Sequence, residues 1–191
     1  MPRQIPKTSI PMKEPYLDIS IYESILEIIS NMSLAMERSP NTFSKLKEEE
    51  IRDFFLIMLN AHFEGSATGE TFNCTGKTDI LIRHENKNAF IAECKFWSGR
   101  ENFIKTIDQL LGYTSWRDTK TAILIFNKNI DTTTVLSRIE EKVKTHECYL
   151  GDFNLKSSKL DKETTFSYKF HHPDDKSKEL ILSILVFDIP Q

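Results

Sequence analysis

The chain has only three cysteines, Cys74, Cys94 and Cys148, and no two of them stand close together. That spacing excludes a CxxC metal or redox motif, offers no disulfide framework, and points to a reducing cytoplasm. No general base sits at a recognisable spacing from any of them, so thiol catalysis has no support. Also missing is an apolar run long enough to cross a bilayer. The polar opening stretch, with Pro2, Pro6, Pro11 and Pro15, lacks the apolar core of a signal peptide. The Asn73-Cys74-Thr75 sequon is therefore read as chance. There is no internal repeat, no low-complexity tract and no strong excess of one charge. A formal net charge of −3 does not mark a general polyanion binder, so any nucleic-acid surface must be local. What is left is an ordinary globular composition, 39% hydrophobic and 28% charged. Its 191 residues suit one domain, expected over 16–191 behind an extended leader or linker at 1–15.

Periodicity supplies the elements. Ser20-Ile21-Tyr22-Glu23 has the form of a capping box, followed by Ile21, Ile25, Ile28, Met32, Ala35 and Met36 at helical spacing up to Pro40. A second helix is predicted from about Phe43 to Phe63, with Ile51, Phe54, Phe55, Met58 and Leu59 as its apolar positions. After a break at Gly65 to Gly69 come a short strand at Glu70 to Asn73 and a hairpin of Lys77 to Arg83 with Asn88 to Trp97. An amphipathic helix is predicted over Glu101 to Trp116, through Phe103, Ile104, Ile107, Leu110 and Leu111. Thr121 to Phe126 is apolar throughout, as in a central strand covered on both faces. A helix near Thr134 to Thr145 and strands at Thr165 to Phe170 and Leu180 to Phe187 complete an α/β sandwich around a mixed central sheet.

Charge inside the hairpin breaks this pattern. Residues two apart in a strand share a face, so Glu93 and Lys95 point one way while Phe90, Ala92, Cys94 and Phe96 point the other. If the hairpin pairs its strands, Asp79 lies beside Glu93 at one sheet edge. Two neighbouring carboxylates repel unless they share a proton or a cation. Oxygen ligands suit a hard ion such as Mg²⁺, which polarises a phosphate oxygen and acidifies a water. An adjacent Lys95 would orient that water or offset developing charge, giving a phosphodiester hydrolysis site. The competing reading is an ordinary solvated hairpin. Against it stand the apolar surroundings of Glu93, the turn residue Gly76 ahead of Asp79, and Gln109 with Tyr113 on one face of the next helix.

Asp79, Glu93-Cys94-Lys95 and Gln109-Leu110-Leu111-Gly112-Tyr113 together resemble the PD-(D/E)xK nuclease superfamily, in its variety with a Q-x-x-x-Y helix. Over about Tyr16 to Pro190, the stretches EEEIRDFFLIMLN, GETFNCTGKTDILIR, FIAECKFWSG and QLLGYTSWRDTKTAILIF resemble a bacterial family of C-terminal domains in larger, defence-related proteins. The resemblance implies a restriction-endonuclease-like fold and endonuclease activity on DNA, double-stranded in particular, dependent on Mg²⁺ or Mn²⁺. It implies Asp79, Glu93 and the Cys94 carbonyl as metal ligands, Lys95 as catalytic lysine, and Gln109 with Tyr113 as the supporting pair. Thr78 stands where many members have proline. The superfamily also carries a glutamate on the preceding helix, a role open to Glu48, Glu49 and Glu50. Helical geometry sets Glu48 nearest the Ile51/Phe55/Met58 face, with Glu50 to one side and Glu49 roughly opposite. The family-like spacing to Arg52 favours Glu49, which is the expectation taken, with Glu48 next. A solvated acidic first turn, favoured by the helix dipole, accounts for at least two of the three.

Lys77 to Lys120 holds eight basic residues against six acidic ones. Within it Lys77, Arg83, Arg100, Lys105, Arg117 and Lys120 are candidates for a phosphate groove. Lys77, Arg100, Tyr113 and Arg117 are the expected nucleic-acid contacts, although Tyr113 would equally close its helix against the sheet. Trp97 and Trp116 are expected in the core, and His171-His172 on a loop surface. A non-catalytic binding or assembly module on the same fold and an RNA-cleaving nuclease stay open beside DNA cleavage. A cytoplasmic nuclease needs restraint, so an oligomer or a regulatory sensor domain or subunit is the expected partner, and no membrane.

Overall fold

In the computed structural model, which describes residues 19–63, 67–68, 71–73, 76–84, 87–128 and 130–189, helices cover both faces of a mixed sheet. The chain order is α1 (Ile19–Glu37), α2 (Pro40–Phe43), α3 (Glu48–His62), β1 (Ala67–Thr68), β2 (Thr71–Asn73), β3 (Gly76–Thr78), β4 (Ile80–His84) and β5 (Lys87–Phe96). Then follow α4 (Arg100–Tyr113), β6 (Lys120–Asn127), α5 (Thr132–Val143), β7 (Tyr149–Asp152), β8 (Thr165–His172) and β9 (Asp175–Asp188). The sheet runs β1-β4-β5-β6-β9-β8-β7, with β5, β6 and β9 parallel and the remaining pairs antiparallel. The expected α/β sandwich is present. The leader expected at 1–15 lies outside the described residues.

The core is two layers, one on each face. Ile80, Ile82, Phe90, Ala92, Cys94, Ala122, Leu124 and Phe126 pack beneath α1 and α3, while Leu81, Ile91, Ile123, Ile125, Ile184 and Val186 pack beneath α4 and α5. This alternation follows from the two-residue period of a strand. Every residue of β6 is buried, as its apolar run requires of the middle strand. Among the described residues no helix is long and apolar enough to cross a membrane.

Several expectations change at element ends. Along α1 the buried line is Tyr22, Ile25, Leu26, Ile29, Ser33 and Met36, whereas Ile21 and Ala35 are exposed. Apolar residues at 21, 22, 25, 26, 28 and 29 offer two nearly equal stripes. Tyr22 decides between them, its hydroxyl donating to Thr121 O (2.8 Å) beside Ser183 Oγ (2.6 Å) under the sheet. Glu23, expected in a capping box, accepts the Lys156 backbone N–H. The helix expected from Phe43 is divided. Glu50 accepts the Lys47 N–H at 2.7 Å, and Lys128 Nζ donates to Ser44 O and Leu46 O at 2.8 Å each, so a fresh helix starts at Glu48. β1 and β7 are additional to the strands expected, being short and lacking a strong apolar pattern. The predicted strand Lys77 to Arg83 is likewise two. Gly76 opens β3, which pairs with β2, while β4 pairs with β5. The break falls at Asp79.

Candidate functional site

β4 begins with Ile80 opposite Ala92, which places Asp79 level with Glu93 at the next step of the antiparallel register. β5 continues through Glu93, Cys94, Lys95 and Phe96 alongside β6, with no strand in ladder on its other side among the described residues. That open edge exposes alternate backbone N–H groups, which need acceptors. Carboxylates supply them. Asp79 Oδ2 accepts the Cys94 N–H at 2.8 Å and Glu48 Oε2 accepts the Phe96 N–H at 3.0 Å, while the Trp97 N–H turns to Phe126 O on the β6 side. In extended backbone a residue's N–H and C=O face the same edge, so the Cys94 carbonyl is directed there too.

Glu93 and Lys95 lie on the α4 side of the sheet. Glu93 is 1% exposed. Gln109 Nε2 donates to Glu93 Oε2 at 3.0 Å and to the Tyr113 hydroxyl at 3.0 Å, one amide serving both, whereas Glu93 Oε1 is buried without a hydrogen-bond partner among the described residues. Burial raises the Glu93 carboxyl to about 8, the neighbouring Asp79 charge pushes the same way, and Lys95 opposes them. Lys95 Nζ donates to Glu48 Oε1 at 3.0 Å. Burial alone would lower the Lys95 pKa, but Glu48, Asp79 and Glu93 outweigh it and the net direction is upward.

The structure thus brings Asp79, Glu93, Lys95, Gln109 and Tyr113 into one linked group. Glu49 is not in it. Glu49 is exposed, Glu50 caps its own helix, and Glu48 holds Lys95 and Phe96. The preference for Glu49 rested on spacing alone; the turn preceding α3 brings its first residue to the sheet edge. Arg52, one turn beyond Glu48 on the same helix face, is 8% exposed and puts Nη1 3.9 Å from Asp79 Oδ1, with Nη2 on Asp53 at 3.1 Å. Its place in the site went unread, though the four-residue interval from Glu48 carried the signal.

The outer basic residues divide. Arg100 pairs with Glu141 of α5 at 2.9 Å, and Lys120 is buried at the start of β6. Arg117 lies over the Trp116 ring at 4.7 Å, with Lys178 Nζ at 4.9 Å; Trp116 is 47% exposed and not in the core. Trp97 packs on Phe103 at 6.1 Å, near its expected place. Lys77 belongs to β3, and its side chain lies outside the described residues. His171 and His172 are buried in β8 rather than on a loop. The ring nitrogens of His171 meet His172 O (3.0 Å) and Glu147 O (3.2 Å); His172 Nε2 meets Thr114 O (3.2 Å).

Comparison with known proteins adds no relative. No family model, no curated protein and no solved structure matches this chain.

Among the described residues no three His, Cys, Asp or Glu side chains cluster as a ready metal-binding group. A hard cation nonetheless fits what is present: two adjoining carboxylates, one of their oxygens buried and unpartnered, and a backbone carbonyl at the same edge. With no cation, burial and the neighbouring Asp79 charge favour a proton on Glu93.

Proposed function

We propose that the chain is a nuclease that hydrolyses phosphodiester bonds of DNA in the presence of Mg²⁺ or Mn²⁺, at the edge formed by Asp79, Glu93 and Lys95. The observation that carries this reading is Glu93: a carboxylate 1% exposed, level with a second carboxylate, with Oε1 unpartnered among the described residues. Burying such a group is costly unless something binds it. Asp79, Glu93 and the Cys94 carbonyl would hold the ion, which when bound would polarise a phosphate oxygen and acidify a water. Gln109 fixes Glu93 through Oε2 and leaves Oε1 for that role. Lys95, kept protonated by its acidic neighbours, orients a water and offsets charge building on the phosphate. Glu48 sets the lysine's direction.

The motif resemblance supports DNA as substrate, double-stranded in particular, and a cytoplasmic effector role in bacterial defence restrained by an oligomer or a sensor domain. The test is incubation of the purified chain with plasmid DNA in Mg²⁺ or in EDTA, with Glu93→Gln in parallel. Cleavage by wild type in Mg²⁺ alone supports the reading. Intact plasmid in every lane, with DNA still bound, would make the chain a non-catalytic binding module. Degradation confined to an RNA arm would reassign the substrate.

A further inference from the structure

Beside the carboxylate pair, between the end of β5 and the first turns of α4, lies a cavity of about 240 Å³. Its lining includes Lys95 and Gln109 from the site itself, together with Phe96, Trp97, Asn102 and Lys105. Among the described residues no carboxylate lines it. Lys105 is exposed and forms no ion pair among the described residues; Glu101, one turn earlier, feels its charge but bonds Lys142 Nζ at 2.9 Å. A concave space lined by Lys105, which has no ion-pair partner among the described residues, and by Lys95, which is held by Glu48, is suited to an anionic ligand. Phe96 and Trp97 add an apolar wall that a sugar or base can cover.

Resting on the nuclease reading, we propose that this cavity seats one nucleotide unit of the substrate strand, adjacent to the phosphate being cleaved, with its own phosphate on Lys105. Continuity decides the location. Lys95 and Gln109 belong both to the cavity and to the carboxylate site, so a ligand here lies next to whatever phosphate occupies that site. Size decides the unit. The volume lies below that of ordinary ligand pockets, enough for a single nucleotide and too small for a base pair.

The test reads binding without cleavage. Glu93→Gln in EDTA is titrated into a fluorescein-labelled oligonucleotide, as a single strand and as a duplex, over a salt series, with anisotropy as the signal. Adding Lys105→Gln should weaken binding about tenfold, the worth of one charge-assisted contact. It should also lower the log–log salt slope by about 0.7, the share of one single-strand phosphate. Lys144→Gln, an exposed lysine of the segment after α5 paired with Glu140, should change neither. Unchanged affinity and slope in Lys105→Gln would overturn the proposal, as would no oligonucleotide binding at all. A free nucleoside monophosphate that competes as tightly as the oligonucleotide would replace the strand subsite with a mononucleotide site. Intact plasmid in the separate cleavage assay would refute the nuclease reading while leaving this binding result interpretable.

Discussion

Glu93 and Lys95 are two residues apart on one strand, yet their replacement should have different consequences. The Glu93 carboxyl is raised from 4.5 to about 8, so the folded chain holds a proton that the unfolded chain releases. Stability from this source is therefore highest at low pH and falls as pH climbs from about 4.5 to about 8. In metal-free protein, Glu93→Gln should flatten that decline, so the variant's Tm gains on wild type as pH rises; parallel melting curves from pH 5 to pH 9 would refute the assignment. Glu93→Ala removes an oxygen donor and should lower both divalent-ion affinity and cleavage. Lys95→Ala removes a cation from beside the ion, so affinity should hold or tighten while cleavage falls roughly two to four orders of magnitude. Recovery of Lys95→Ala to near wild-type cleavage at saturating Mg²⁺ would instead make the lysine a structural counter-ion for Glu48 and its neighbours.

Between elements, the start of α3 sets the site, and Lys128 sets the start of α3. Its ammonium joins Ser44 O, Leu46 O and the Phe96 ring, 4.3 Å away, so β6, β5 and the turn before α3 are held together. Lys128→Met should cost about 1–3 kcal/mol through two carbonyls losing a charged donor. It should also loosen Glu48 from Lys95, cutting cleavage more than the stability loss explains, with partial rescue by Lys128→Arg. A variant that melts lower but cleaves at the wild-type rate would confine Lys128 to the fold. No sequence pattern announced this contact, since it exists only where three elements meet. The strand residues were different. Asp79, Glu93, Lys95, Gln109 and Tyr113 were legible because strand period and helix spacing are local rules that survive tertiary packing. Glu48 was passed over because the choice among three adjacent glutamates depends on where the helix begins. The wrong stripe on α1 and the surface expected for His171-His172 have the same origin: burial set by partners distant in sequence, Thr121 and Ser183 for Tyr22, Glu147 and Thr114 for the histidines.

Across the whole molecule, the carboxylates belong to a strand that forms part of the core. β5 lies against the fully buried β6, and its two faces feed both core layers, so unfolding dismantles the site. A cation that binds the folded site and not the unfolded chain must therefore stabilise the entire fold by mass action, by about 2.7 kcal/mol at a hundredfold excess over Kd. Wild-type Tm should accordingly rise with Mg²⁺. The rise should be absent in Glu93→Ala and kept in Lys95→Ala, even though both cleave poorly. The pH dependence has a definite sign. At low pH the ion must displace the proton on Glu93, whereas above about 8 the carboxylate is already ionised, so the Mg²⁺-induced shift should grow with pH across that interval. Differential scanning calorimetry in Mg²⁺ or EDTA at pH 6 and pH 9 measures this without a nucleic acid present. Equal shifts in wild type and Glu93→Ala would place the ion elsewhere on the surface and leave the buried carboxylate to its proton alone.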